Sequence, residues 1–169
     1  EVINSNHPVS LQTILGDIRD KLLIERVFSS LSPDVVFHAA AYKHVPMQEE
    51  HPWEAVQTNI QGTYNLINVA EDYDVDRFVL VSTDKAVNPT NIMGATKRFA
   101  EKLIQSKSRN SNVKYMAVRF GNVIGSSGSV IPTFQKQIQN GGPITITDPK
   151  MERYFMSISE SSQLILQSG

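Results

Sequence analysis

The sequence predicts an α/β fold, a doubly wound parallel sheet with helices on both faces. Three observations predict it. Short apolar runs alternate with longer segments of helical periodicity, the pattern of strands joined by crossover helices. The runs Asp34–His38 and Arg77–Ser82 are nearly continuous in apolar residues, as strands covered on two faces are. Small or polar residues follow each run, as at Ala39-Ala-Ala41 and Thr83-Asp84, where open parallel sheets carry their ligand loops.

Taken in order, the first helix spans about Asp20 to Leu31, with Leu22, Leu23, Val27 and Phe28 on one stripe, and Pro33 ends it. The strand Asp34–His38 leads into a loop from Ala39 to Pro46. A long helix follows from about Pro52 to Asp72, with Trp53, Val56, Ile60, Thr63, Ile67 and Ala70 at helical spacing. After the strand Arg77–Ser82, a polar loop runs to Asn91, which suits the N-cap of a helix reaching about Ser106. Val113 to Phe120 is the third strand, and Gly121 to Gly128 is a glycine-rich loop. A helix near Ile131–Asn140 stops at Gly141-Gly142-Pro143. Ile144–Thr147 and Tyr154–Ser157 read as short strands, and Ser159 opens a last helix with Glu160, Leu164 and Ile165. No repeat or linker divides the chain, so residues 1–169 are expected to be one domain.

Composition narrows the function. Lysines and arginines number 16 against 17 acidic residues, so no basic excess points to nucleic acid. There are no cysteines, which excludes disulfides and thiolate metal sites and fits a reducing compartment. No apolar run approaches the roughly 18–20 residues of a membrane span. The histidines at 7, 38, 44 and 51 lack metal-ligand spacing, so no metal site is expected.

Several residues have a chemical reading beside a plain one. Asp17, placed after a strand, either takes an adenine amino group together with the neighbouring Ile18 backbone or caps the helix near Asp20. Ala39, Ala40 and Ala41 either let a cofactor approach the backbone closely or form a tight turn. Met93 and Lys97 stand four apart and share a helical face; by itself Met93 reads as core filler. Asp84-Lys85 is either a solvated loop ion pair or a placed acid and base. Asn59 sits mid-helix, where its amide is poorly suited to helix formation. Arg153 either pairs with a diphosphate, or stacks on a base, through its planar fork, or forms a salt bridge with Glu152 or Glu160.

Seven segments, in order, carry a family resemblance: Leu15-Gly-Asp-Ile-Arg-Asp20, Ala39-Ala-Ala-Tyr-Lys-His-Val-Pro46, Asn59-Ile-Gln-Gly-Thr63, Ser82-Thr-Asp-Lys-Ala86, Met93-Gly-Ala-Thr-Lys97, Arg119-Phe-Gly-Asn-Val-Ile-Gly125 and Arg153-Tyr-Phe-Met156. Together they resemble the extended short-chain dehydrogenases of polysaccharide synthesis, the nucleotide-sugar 4,6-dehydratases. The resemblance implies a Rossmann-like sheet binding NAD or NADP, with a dinucleotide-binding core over about 11–120 and the start of a small substrate-binding part over about 121–169. A dinucleotide fold opens with strand, G-x-G-x-x-G and helix. No such cluster stands in Glu1–Gly16, so the opening βαβ unit is expected to be missing and the domain partial.

The superfamily carries Tyr and Lys at the positions of Met93 and Lys97. The long, membrane-tethered 4,6-dehydratases resemble this chain in having Met there, which narrows the match to that subtype. The resemblance assigns the nicotinamide ribose to Lys97, adenine to Asp17 and Ile18, and the cofactor's close approach to Ala39, Ala40 and Ala41. Asn59 then supports the active-site backbone beside the cofactor. Lys43, His44, Asn122 and Arg153 are expected toward the sugar and diphosphate. The implied substrate is a UDP-sugar, UDP-N-acetylglucosamine or a close relative. Asp84 is the expected acid at C6, Lys85 the base at C5, and Thr83 with Lys97 the holders of the C4 oxygen and ribose. A homo-oligomer is among the expectations, as is a cytoplasmic location, free or as the cytoplasmic part of an anchored protein. The alternatives are a UDP-sugar 4-epimerase or reductase, and a fragment without catalysis of its own.

Overall fold

The computed structural model describes residues 10–126, 130–146 and 148–169. Helix α1 (Lys21–Leu31) begins where Asp20 accepts a hydrogen bond from the Leu23 N–H at 3.0 Å, satisfying one of the donors that a first turn leaves free. Ser32, left-handed at φ 42°, closes it before Pro33. Its buried residues are Ile24 and Phe28, whereas Leu22 is 69 % exposed. That corrects the expected stripe: two positions are about 200° apart on a helix, so Leu22 and Ile24 cannot face the same way. Asp20→Ala is expected to lower stability by about 1 kcal/mol, read as a lower denaturant midpoint at unchanged slope.

Strands β1 (Val35–His38), β2 (Arg77–Thr83) and β3 (Lys114–Phe120) form a parallel sheet in the order β1-β2-β3. Val79 pairs with Phe37 on one side and Met116 on the other. Only the middle strand matches the doubly covered pattern, with Phe78, Val79 and Leu80 fully buried. β1 departs from it: among the described residues it is an edge strand, and Phe37 stands exposed. Phe78 and Leu80 pack into a cluster with Phe28 of α1, Ile67 and Ala70 of α4 (Thr63–Asp72), and Ala100 and Ile104 of α5 (Ile92–Lys107). Val79 points the other way, toward Val118, Phe120 and Ile165 of α7 (Ile158–Ser168). Alternation along β2 thus fills a core on each face, and helices cover both.

The segment expected as one helix, Pro52 to Asp72, is helical throughout but not uniform. It runs as α3 (Pro52–Ala55), a π-helical stretch over Val56–Gly62, and α4. The wider π turn breaks the 3.6-residue phase, which explains why Trp53, placed inward by periodicity, is exposed while Ile67 and Ala70 are buried. The preceding loop is shorter than expected, because α2 (Val45–Glu50) starts on Pro46 near its first position.

After β3 the chain adds a small parallel pair, β4 (Asn122–Val123) with β5 (Phe155–Met156). Between them lies α6 (Val130–Gln139). Residues 144–146 are not a strand, contrary to expectation. The Gln137 side chain takes the Thr145 backbone N–H at 3.1 Å and donates to its hydroxyl at 2.8 Å, filling the place of a strand partner. Thr147 and Gly128 lie outside the described residues. No helix among the described residues is long and apolar enough to cross a membrane.

Candidate active site

Parallel pairing puts the carboxyl ends of β1, β2 and β3 on one side, and a cleft of about 480 Å³ opens there. Ala39, Ala41, Lys43 and His44 line it from the β1 loop, Thr83 and Lys85 from the end of β2, and Asn122 from beyond β3. Met93 and Lys97 reach it from α5, one helical turn apart. The residues following all three strands and the first turns of α5 therefore converge, although they are as many as 83 positions apart in sequence (Ala39 to Asn122).

The doublet forms a compact hydrogen-bonded group. The Lys85 ammonium donates to Asp84 Oδ1 at 3.1 Å and to Asn122 Oδ1 at 3.4 Å. The Thr83 hydroxyl donates to Asp84 Oδ1 at 2.9 Å and accepts from the Lys85 N–H at 3.4 Å, capping the short 3₁₀ turn Asp84–Ala86. Burial works against the charge on Asp84, but the hydrogen bonds from Lys85 and Thr83 prevail and hold its carboxyl below the usual range. The turn is pressed against α5: a Cβ on Gly94 would stand 2.5 Å from the Lys85 carbonyl oxygen, so only a glycine permits this approach. Asn91 caps the helix there as the sequence predicts, accepting from Gly94 N–H at 2.8 Å.

Lys97 is 8 % exposed, and among the described residues no hydrogen-bond acceptor meets its ammonium. Burial lowers its pKa from 10.5 to about 8, against the opposing pull of Glu101 one turn later. The Glu101 carboxylate, itself 1 % exposed, accepts from the Ser82 hydroxyl at 2.7 Å and from Arg119 through two bonds of 2.8 and 2.7 Å. It ties β2 and β3 to the helix that carries Lys97. At the end of β1, burial and then the nearby Lys97 charge lower the His38 pKa to about 3, so the ring is neutral. Thr63 donates its hydroxyl proton to the Asn59 carbonyl at 2.7 Å, so His38 Nε2, 2.8 Å from that hydroxyl, must be the protonated nitrogen.

The remaining expected site residues lie differently. Ala40, between two lining alanines, is not in the cleft wall. Asn59 is 1 % exposed and its carboxamide is engaged inside the protein: Oδ1 accepts from Tyr42 N–H at 2.8 Å, and Nδ2 donates to Tyr42 O, Gln48 Oε1 and Thr96 Oγ1 at 3.0–3.2 Å. Asn59 thus holds the Tyr42 backbone from inside the protein and does not itself line the cleft. Among the described residues no strand precedes Asp17, and it caps no helix: residues 10–17 are irregular and Asp20 holds the cap. Its carboxylate pairs with Arg19 at 2.6 Å, and Arg19 also reaches Glu54 at 3.0 Å. Ile18 packs on Gly62, and the Asn65 amide holds its carbonyl at 3.2 Å. Both border a separate hollow. Arg153 is exposed and donates to the Glu152 carbonyl at 2.7 Å; Glu160 closes the capping box of α7 with Ser157. Ser82 and Thr96 stand inside quoted segments without an expected part, and Gln48 and Glu101 fall outside them; of these site-building residues Glu101, a carboxylate at i+4 from Lys97, had a signal in spacing.

Met93 is buried and offers the cleft a thioether without an exchangeable proton. In the full-length protein, Met93→Leu, which roughly conserves volume, is expected to keep turnover within about a factor of three; initial rates of product formation measure it. A loss of about 100-fold or more, the scale of a displaced acid–base group, would assign the sulfur a chemical part.

The sequence profile of the family described as polysaccharide biosynthesis protein matches residues 1–169. The chain is 54 % identical over 157 residues to the capsular polysaccharide biosynthesis protein CapD of Staphylococcus aureus, covering 92 % of this chain and 26 % of that protein. It is 38 % identical over 172 residues to the UDP-N-acetylglucosamine 4,6-dehydratase (inverting) of Campylobacter jejuni, covering 99 % and 50 %. A UDP-glucose 4-epimerase of Rickettsia canadensis is 43 % identical over 159 residues, covering 92 % and 46 %. Among solved structures, Pen from Bacillus thuringiensis superposes with a TM-score of 0.85 at 43 % identity, covering 91 % of this chain and 48 % of that one. The chain thus spans from about a quarter to about half of the lengths of these relatives.

Proposed function

The chain belongs to the polysaccharide biosynthesis protein family, and from that premise we propose that it supplies the catalytic centre of a UDP-sugar 4,6-dehydratase acting on UDP-N-acetylglucosamine or a close relative. The observation that carries the reading is the grouping of Lys85, Thr83 and Lys97 around one cleft at the sheet's carboxyl edge, with Asp84 behind its lining and hydrogen-bonded to Thr83 and Lys85. The residues fit NAD or NADP: a buried ammonium with no acceptor among the described residues faces the cleft, and Ala39 and Ala41 leave room for close approach to the backbone. When bound, the cofactor supplies the hydride acceptor at sugar C4 and the hydride donor at C6.

The chain's own groups handle the protons. Lys97 holds the ribose hydroxyls and, with Thr83, orients the C4 oxygen. Once C4 is a ketone, the C5 proton becomes acidic, because the resulting carbanion is stabilised by the adjacent carbonyl. The proton of the C4 hydroxyl passes to water, Lys85 Nζ takes the C5 proton and gives it back to C5 once C6 is reduced, and Asp84 gives one to the C6 hydroxyl, which leaves as water. Their ground state is the ion pair, so this division of labour needs one proton to pass from Lys85 Nζ to Asp84 Oδ1 along their 3.1 Å hydrogen bond, with no change in the pair's net charge. Asn122 Oδ1, on the other side of Lys85, keeps the amine aimed as the proton moves. Lys43 and His44 bear on the sugar and its diphosphate. We place the reaction in the cytoplasm, free or on the cytoplasmic side of an anchored protein.

The test is product analysis. Incubated with UDP-N-acetylglucosamine, the full-length protein should yield a 4-keto-6-deoxy sugar, one water lighter, with no net consumption of cofactor. A C4 epimer of unchanged mass would instead establish the epimerase reading, which the similarity to the Rickettsia enzyme favours.

A further inference from the structure

We propose that Gln48 is a positioning residue that sets the stance of the Tyr42–His44 wall of the cleft, and through it the presentation of Lys43 and His44 to the nucleotide sugar; the proposal rests on the substrate reading above. The wall is unusual in having empty space on both sides. The 480 Å³ cleft lies on one side, and a second hollow of about 200 Å³, bordered by Tyr42, Lys43, His44, Met47, His51 and Glu54, lies on the other. Tyr42, Lys43 and His44 are all exposed. Packing therefore does little to hold this stretch, and its position must come from hydrogen bonds to its backbone.

Those bonds come from two buried carboxamides and from the first turn of α2, where the Gln48 backbone N–H donates to the His44 carbonyl at 3.2 Å. Gln48 is 3 % exposed and its Nε2 donates to the carbonyls of Tyr42 at 3.1 Å and His44 at 3.4 Å. Its Oε1 accepts from Asn59 Nδ2 at 3.1 Å, and Asn59 grips Tyr42 at both N–H and C=O. Asn59 alone fixes only Tyr42. Gln48 is the residue that reaches the carbonyl of His44, on the far side of Lys43. Each polar atom of its side chain is engaged, so a group of equal size without donors would leave the Tyr42 carbonyl with Asn59 alone and the His44 carbonyl with the Gln48 backbone N–H alone, beside a cavity into which the wall can relax.

The experiment is steady-state kinetics of the full-length protein with UDP-N-acetylglucosamine, comparing wild type with Gln48→Met and Gln48→Glu, each alone and combined with Lys43→Ala. Met keeps the length and removes every bond. Glu keeps acceptance from Asn59 and removes only the donations to the wall. Both are expected to raise KM about tenfold, the scale of one or two lost hydrogen bonds, with kcat within about threefold, since the proton-handling groups sit on other elements. Lys43→Ala should add little in either Gln48 background, because a displaced lysine has already lost its contact. Unchanged KM, additive effects with Lys43→Ala, or losses that track only the folded fraction would overturn the proposal. So would failure of both variants to fold, which would make the clamp a folding requirement. A wild type that turns the sugar over to a different product rejects the dehydratase reading and leaves these KM comparisons as readable as before.

Discussion

Asp84→Asn and Lys85→Ala are each expected to reduce formation of the 4-keto-6-deoxy product by about 100- to 10,000-fold, the usual contribution of a placed acid or base. Nucleotide binding should stay near its wild-type value, because neither side chain is needed to hold the cofactor's ribose or the wall at Tyr42–His44. Asn in place of Asp84 can still accept from Thr83 and Lys85, so the group keeps its shape and loses the ability to pass a proton. The two losses should not multiply. Asp84 and Lys85 share one proton across a 3.1 Å bond, and removing either partner disables the pair, so the double variant should fall little below the worse single one. Rates of product formation, beside binding of UDP-N-acetylglucosamine by calorimetry, measure both quantities. Wild-type turnover in either single variant would refute the assignment.

Lys97→Met should give an enzyme that is more stable and nearly inactive. The folded chain keeps this ammonium buried, with its pKa lowered from 10.5 to about 8. A lysine whose folded pKa lies below its unfolded value destabilises the fold at every pH below the folded value. The penalty is relieved as pH rises from about 8 to 10.5, where the unfolded chain binds a proton that the folded chain has released. Removing the charge is therefore worth on the order of 3 kcal/mol at neutral pH. Denaturant titrations at pH 7 and at pH 10 measure it: the wild type should gain stability between the two, and Lys97→Met should be more stable at pH 7 with a flat response. Turnover should fall by about 100-fold or more, as when a group that stabilises developing charge is lost. Stability and function pull in opposite directions at this residue, as they often do where an active site keeps a costly charge. Loss of both together would mean that Lys97 is a structural anchor.

The acid side runs the other way. His38 is kept neutral down to about pH 3, by burial and by the Lys97 charge. Between pH 6.5 and about 3 the unfolded chain takes up a proton that the folded chain refuses, so stability falls as pH drops through that window.

The legible part of the site was what lies close together in the chain. Asp84-Lys85 is contiguous, and Met93 and Lys97 are one helical turn apart, so local periodicity was enough to face them the same way. Asn91 and Asp20 were visible as caps or cap neighbours for the same reason. Gln48, Asn59 and Thr96 join across 11 and 37 positions, and Glu101 meets Arg119 across 18. No period links such positions, and an amide in a helix looks the same whether it grips a loop or faces water.

By itself, the order of apolar runs, caps and motifs determined that this chain forms a parallel sheet wrapped by helices, with the Asp84-Lys85 doublet at a strand end, because those features depend on residues within a turn or two of one another. Only the tertiary structure decided that Leu22, Phe37 and Trp53 face outward, that Asp17 and Arg153 stand apart from the cleft, and that Asn59 grips Tyr42 and joins Gln48 to Thr96. Those outcomes depend on which surfaces other segments leave uncovered, and for Trp53 also on the π-helical turn that shifts the helical phase beside it, and burial is a property of the assembled fold.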